Sequence, residues 1–314
     1  MDAQCIGFDT SNYTTSAAVF GGGRAENRGR LLTVPQGALG LRQSDALFQH
    51  VKRLHLMVEQ LRAEGAIGRI AAVGASTRPR EVEDSYMPCF LVGEGEGRTL
   101  ASALGAPFYP CSHQQGHVAA AAWSAGREDL LDRPHLAWHL SGGTTELLRV
   151  EPEGHTVRAE VIGGTSDISA GQLVDRTGVL LGLPFPAGKA LDGLYPEADA
   201  ALAYRVKLNG LTFSLSGMEN KVKELLEKGE KPANIARFAI GTIMNVLLRA
   251  TGEAQRRYPG LPVLCSGGVA SNRQIRAAME RSCGAVFAQP QYATDNALGV
   301  AILARRALER GVVA

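Results

Sequence analysis

The chain opens with CIGFDTSNYTTSAAVF (residues 5–20) and repeats the scheme at HLAWHLSGGTTELLRV (residues 135–150). Each copy is an apolar run, a turn of small residues and a second apolar run, which is the pattern of a β-hairpin. The first hairpin has DTSNYTT as its tip. Strands alternating with helical segments after each copy predict an α/β protein of two similar halves. Leu47, Val51, Leu54, Val58 and Leu61 recur at helical spacing in SDALFQHVKRLHLMVEQLRAEG and predict an amphipathic helix. GGGRAENRGR reads as a loop and RLLTVP as the next strand. RIAAVGAS, APFYPCS, HTVRAEVIGG and AVFAQPQ read as strands. HQQGHVAAAAWSAG, AGQLVDRTGVLLGLP, KVKELLEKG, ANIARFAIGTIMNVLLRATGEAQRRY and NALGVAILARRALERG read as helices.

Turns of one chemistry punctuate these elements. Ser141-Gly142-Gly143 and Ser266-Gly267-Gly268 each follow an apolar strand, and DTSNYTTS makes a third. Small residues let backbone N–H groups approach a ligand and form an anion nest. Thr10, Ser11, Thr14, Thr144 and Thr145 add hydroxyls. Such turns suit a phosphate or nucleotide, and they equally suit ordinary tight turns. G-x-x-x-x-G-K-[ST] is absent, which excludes a P-loop protein.

His113 and His117 lie four apart, so a helix puts both imidazoles on one face. That is a metal-binding spacing, but the residues between are Gln114, Gln115 and Gly116, and the glutamate base of H-E-x-x-H is missing. Two histidines need a third ligand. Asp295 is a candidate, and a helix N-cap is the competing reading of it. Two imidazoles and a carboxylate suit iron and zinc alike.

Basic and acidic side chains nearly balance, 33 against 31, so the chain does not advertise a nucleic-acid surface. Arg24, Arg28, Arg30, Arg78 and Arg80 are the basic residues considered for RNA contact. Five cysteines form no C-x-x-C pair and read as reduced thiols of a cytoplasmic protein. The first residues do not read as a signal peptide, and no apolar run is long enough to span a bilayer.

The motifs taken in order resemble the TsaD family, the tRNA threonylcarbamoyladenosine transferases formerly called O-sialoglycoprotein endopeptidases or glycoproteases. H-x-x-G-H is met by His113, Gly116 and His117, and S-G-G-x-T-E-L by Ser141 to Leu147. A-G-x-x-x-D is met by Ala170, Gly171 and Asp175, followed by LLGLPFPAG. F-S-x-S-G is met by Phe213 to Gly217, S-G-G-V-A-x-N by Ser266 to Asn272, and T-D-N-A by Thr294 to Ala297. The resemblance covers nearly the whole length. It implies an actin-like, sugar-kinase-like (ASKHA) fold of two lobes. The expected lobes are residues 1–110, completed by a helix at 296–314, and residues 111–295 with the metal and nucleotide site. It implies transfer of a threonylcarbamoyl group from its adenylate to an adenosine of tRNA, with one divalent metal, iron or zinc, held by His113, His117 and Asp295. Substrate and nucleotide positions are Leu140, Ser141, Gly142, Gly143, Thr144, Asp175, Gly188, Asp192, Gly267, Gly268 and Asn272. Asp9, Ser11 and Asn12 are the catalytic candidates of the first turn. Implied partners are the adenylate, tRNA and the accessory proteins of the pathway, with a homodimer or heterodimer and no membrane.

The chain departs from the family at several positions. The acidic pair of the first turn is replaced at Asn12 and Tyr13, a histidine by Thr144, a glutamate by Gln172 and a lysine by Glu219. The G-P-G segment gives way to RPREVEDSYMPC. These departures leave two further readings: a carbamoyltransferase with another acceptor, and a catalytically silent nucleotide-binding paralogue that partners a true family member.

Overall fold

A computed structural model describes residues 3–11, 13–34 and 41–313. In chain order the elements are β1 (Gln4–Ser11), β2 (Thr14–Gly21), β3 (Arg24–Leu31), α1 (Gln43–Ala63), β4 (Ile70–Arg78), α2 (Phe90–Leu104), β5 (Phe108–Ser112) and α3 (His113–Ser124). Then come β6 (His135–Leu140), β7 (Thr145–Glu153), β8 (Thr156–Thr165), α4 (Ala170–Leu180), α5 (Gly188–Leu194), β9 (Leu208–Asn209), β10 (Thr212–Phe213), α6 (Ser216–Glu227) and α7 (Pro232–Arg257). The chain closes with β11 (Val263–Ser266), α8 (Arg273–Cys283), β12 (Val286–Phe287) and α9 (Leu298–Glu309).

The duplication is explicit in the sheets. One runs β3-β2-β1-β4-β5, and the other β12-β11-β6-β7-β8 with the short ribbon β10-β9 beyond it. Hairpin β1–β2 is matched by β6–β7, both antiparallel. The parallel neighbours β4 and β5 are matched by β11 and β12. The architecture is the expected α/β fold of two related sheet-and-helix halves.

Two compact units result. The first comprises Met1–Arg133, Glu151–Ala159 and Asp295–Ala314, and the second Pro134–Val150 and Glu160–Thr294. The division falls after residue 133 instead of residue 110, so His113 and His117 belong with the first unit and not with the second. Packing explains this. Helix α3 is pressed against α9, where a Cβ on Gly299 would stand 1.8 Å from the Gly116 carbonyl oxygen. Helix α9 also lies on β1, where a Cβ on Gly7 would meet the Ala301 nitrogen at 2.5 Å. Only residues without side chains permit such approaches.

The first unit's core gathers Ile6, Phe8, Val19, Leu54, Leu61 and Val73 between its sheet and helices α1 and α2. The second unit's core is larger and centres on Trp138, whose indole N–H donates to Thr251 Oγ1 at 2.9 Å. Burying these side chains supplies the main stabilisation, and the indole's bond avoids an unpaired buried donor.

Two local expectations are corrected, and two short elements had no sequence signal. RAENRGR is strand β3, not loop; it is polar because it forms an exposed sheet edge, where charges discourage pairing with other chains. AVFAQPQ yields only the two-residue β12, since Pro290 has no N–H to donate and starts a 3₁₀ turn. The short helix α5 and the β9–β10 ribbon carry too few residues to show a periodicity. Among the described residues no helix is long and apolar enough to cross a membrane.

Candidate functional site

In the first unit, α3 begins at the histidine motif. Ser112 Oγ accepts from the Gln115 backbone N–H at 3.2 Å, and Gln115 Oε1 accepts from the Ser112 N–H at 2.7 Å. This capping box fixes the first turn and so the direction of His113. The Gln115 amide also donates to Val157 O at 2.8 Å. Gln115 is thus committed to structure. The two imidazoles meet edge to face with centroids 4.3 Å apart and Nε2 atoms 2.9 Å apart. Asp295 Oδ1 lies 3.2 Å from His117 Nε2 and 3.7 Å from His113 Nε2. At the start of α9, Asn296 Oδ1 accepts from the Leu298 N–H at 3.1 Å.

Asp9, at the end of β1, stands behind His113. Its Oδ2 is 2.7 Å from His113 Nδ1, and its Oδ1 accepts from the Ser11 N–H at 3.1 Å. With 1% of its surface exposed and both oxygens engaged, Asp9 orients the imidazole. Burial resists charge on His113, but Asp9 and then Asp295 outweigh it and raise the pKa to about 9. Burial would raise Asp9 as well, and the adjoining His113 more than offsets it, lowering the carboxyl below its ordinary value. Ser11 Oγ and Thr14 Oγ1 lie 3.4 and 3.3 Å from Asp295 Oδ2. Asn12 falls outside the described residues.

One ligand atom each of His113, His117 and Asp295 lies within 4.8 Å of the others. Two imidazole nitrogens and a carboxylate oxygen converging, with a buried carboxylate on the far nitrogen of one ring, fit a divalent transition metal.

The second unit holds a cavity of about 490 Å³. It brings together Gly142, Asp175, Gly188, Asp192, Gly268 and Asn272 from the sequence-predicted set. Val174, Ile240 and Ile275 add apolar wall, and Lys189 adds a cation that sequence reasoning missed. Asp175 Oδ1 accepts from the Ala187 N–H at 2.9 Å. Asp192 Oδ2 is held by Arg273 Nε at 2.7 Å, while its Oδ1 is buried without a partner among the described residues. Asn272 Oδ1 caps α8, accepting from the N–H groups of Gln274 and Ile275.

Leu140, Ser141, Gly143, Thr144 and Gly267 do not line this cavity. Leu140 is fully buried. Gly267 adopts φ +96°, and a Cβ there would meet Leu140 O at 2.2 Å, so its role is close packing. Ser141 Oγ accepts from the Thr144 N–H at 3.0 Å and closes the turn. The departures at 172 and 219 also have structural uses. Gln172 completes a capping box with Ser169 at the start of α4. Glu219 pairs with Arg176 at 2.7 Å and Lys223 at 2.8 Å and stays out of the cavity lining. Three of the arginines considered for RNA have local uses: Arg24 bonds Gly65 O, Arg28 pairs with Glu64 and Arg78 with Glu81. All five cysteines are free.

A family model described as tRNA N6-adenosine threonylcarbamoyltransferase (TsaD) matches residues 41–302. A protein of that name from Thermus thermophilus is 34% identical over 278 aligned residues, covering 84% of this chain and 79% of the relative. One from Chlorobium luteolum is 30% identical, covering 98% of this chain and 94% of the relative. Among solved structures, full-length HypF in its phosphate- and nucleotide-bound form superposes with a TM-score of 0.62 at 16% identity, over 98% of this chain and 56% of that one. A ROK hexokinase from Thermus thermophilus superposes with a TM-score of 0.54 at 13% identity, over 98% and 99%. These two likenesses share the ASKHA-type fold.

Proposed function

The chain belongs to the tRNA N6-adenosine threonylcarbamoyltransferase (TsaD) family, and on that premise we propose that it transfers a threonylcarbamoyl group from its adenylate to an adenosine of tRNA in a metal-dependent reaction. The observation that carries this reading is the convergence of His113, His117 and Asp295 with Asp9 behind His113. The donor is a carbamoyl–phosphate anhydride, already activated, so no strong general base is needed between the histidines. These three residues would hold a divalent metal, iron or zinc, and the chemistry it would supply when bound is Lewis-acid activation of a carbonyl.

The chain's own residues do the rest. Asp9 holds His113 in one ring orientation through Nδ1. In the second unit, the unpartnered Asp192 Oδ1 and the remaining oxygen of Asp175 accept from ribose hydroxyls. The backbone N–H of Gly142, on the cavity wall, receives the phosphate as the acceptor amine displaces it and its charge grows. The amide N–H groups of Asn272, whose oxygen is spent on the helix cap, face the nucleotide. tRNA and the accessory proteins of the pathway are the proposed partners.

The test is reconstitution with threonylcarbamoyl-adenylate, tRNA and metal-replete protein, reading modified adenosine after nuclease digestion. Formation that is lost in His113→Ala supports the reading. No modification with folded, metal-bearing protein and accessory proteins present overturns it, and tRNA-independent carbamoyl transfer would point to another acceptor.

A further inference from the structure

The two oxygens of Asp295 have different surroundings. Oδ1 faces His117 at 3.2 Å and His113 at 3.7 Å, whereas Oδ2 accepts from the hydroxyls of Ser11 at 3.4 Å and Thr14 at 3.3 Å. Both hydroxyls come from the ends of one hairpin, where Ser11 and Thr14 are paired across the β1–β2 ladder. Ser11 is 3% exposed and Thr14 7%, so water competes weakly for either. The hairpin end is itself anchored. Thr15 Oγ1 is bonded to Nδ1 of the fully buried His50 on α1 at 2.8 Å, and the Ser11 N–H is bonded to Asp9.

We infer that Thr14, together with Ser11, is a positioning residue that clamps Asp295 Oδ2 and leaves Oδ1 alone to serve as the third ligand of the histidine pair. Asp295 arrives on the segment before α9, 178 residues from His117. A carboxylate free to rotate would lose conformational entropy on binding and could offer either oxygen. Two neutral hydroxyl donors remove that freedom, and they do so without adding charge that would compete for a cation. This hydroxyl pair lies beside the turn in which the family's acidic pair is replaced. The inference rests on the metal reading above and goes beyond it by assigning residues that hold a ligand side chain in place.

The test uses the full chain stripped of metal and titrated with Co²⁺, followed by visible absorption and chelator competition. Thr14→Val keeps shape and removes the hydroxyl; Thr14→Ser keeps the hydroxyl and removes the methyl; Ser11→Ala removes the second donor. Loss of an outer-shell partner should weaken affinity about 10–100-fold in Thr14→Val, with an altered absorption band, while Thr14→Ser restores most of it. A Thr14→Val protein that binds Co²⁺ with wild-type affinity and spectrum overturns the inference, as does a Thr14→Ser protein that folds but is no better than the valine. Should the valine variant fail to fold, Ser11→Ala and Thr14→Ser carry the same comparison. A wild-type protein that binds no Co²⁺, or whose binding survives His113→Ala, overturns the metal reading itself.

Discussion

A Cβ placed on Gly299 would lie 1.8 Å from the carbonyl oxygen of Gly116. The glycine inside H-x-x-G-H is therefore a docking point for the helix that follows Asp295. Gly299→Ala should force α9 off α3. Overpacking a close contact costs about 1–3 kcal/mol, and a backbone obstacle puts this site at the upper end. Urea unfolding should show that loss, and metal stoichiometry should fall because Asp295 moves with the helix. A variant as stable as wild type would show that the helices separate without cost.

Asp9→Ala should weaken metal binding about 10–100-fold while the ligands remain in place. His113 would lose the acceptor on Nδ1, and its ring could rotate Nε2 away from His117. Asp9→Asn keeps a neutral acceptor and should fall between the two. Isothermal titration with Zn²⁺ orders the three proteins; equal affinities would remove Asp9 from the metal's support.

Glu219→Lys tests whether the charge departure matters. Glu219 bridges Arg176 and Lys223 outside the cavity lining. Exposed pairs contribute about 0–1 kcal/mol, so the melting temperature should drop slightly and adenosine monophosphate affinity should stay unchanged. A several-fold change in affinity would show that residue 219 reaches the nucleotide after all.

Asp167 gives a prediction in pH. Burial works against its charge, but the Ser214 hydroxyl and the Leu215 and Ser216 N–H groups outweigh burial and hold its pKa near about 2. A carboxyl lowered on folding stabilises the protein above its ordinary pKa, and the contribution disappears as pH falls toward the folded value. Asp167 caps the start of α6, so Asp167→Asn should cost about 1 kcal/mol at neutral pH. The two unfolding midpoints should converge as the pH is lowered below the ordinary carboxylate range. A gap that persists unchanged would assign the effect to shape.

How much of this was legible depended on the range of the interaction. The His113–His117 face follows from four-residue helical spacing, and both hairpins follow from alternation within a few residues. Edge strand β3 was misread because its polar residues carry no inward pattern. Asp295 was legible only as one candidate third ligand against a helix N-cap, and the family resemblance strengthened it, since nothing local relates residues 178 apart. The use of Asp9 as His113's partner was hidden too, because a strand sequence does not say which side chain lies beyond its end. Gln172 looked like a missing acid until its capping box appeared.

Asp192 supplies the most discriminating prediction for the second unit. Arg273 holds Oδ2 at 2.7 Å, leaving the buried Oδ1 without a partner among the described residues. An unpaired buried acceptor is costly, and a ribose hydroxyl would satisfy it. Asp192→Asn can keep its oxygen toward Arg273, but it then presents an NH₂ to the cavity, which cannot accept. Adenosine monophosphate should bind about 10–100-fold more weakly, the range of a hydrogen bond to a charged group. The wild-type protein should lose a similar factor with the 2′-deoxy or the 3′-deoxy nucleotide, whichever removes the contacting hydroxyl. Asp192→Asn should lose little more with that same analogue, because both changes delete one bond. Calorimetric titration of the two proteins with three nucleotides completes the cycle. Losses that simply add would place Asp192 away from the ribose and leave its unpaired oxygen to another group.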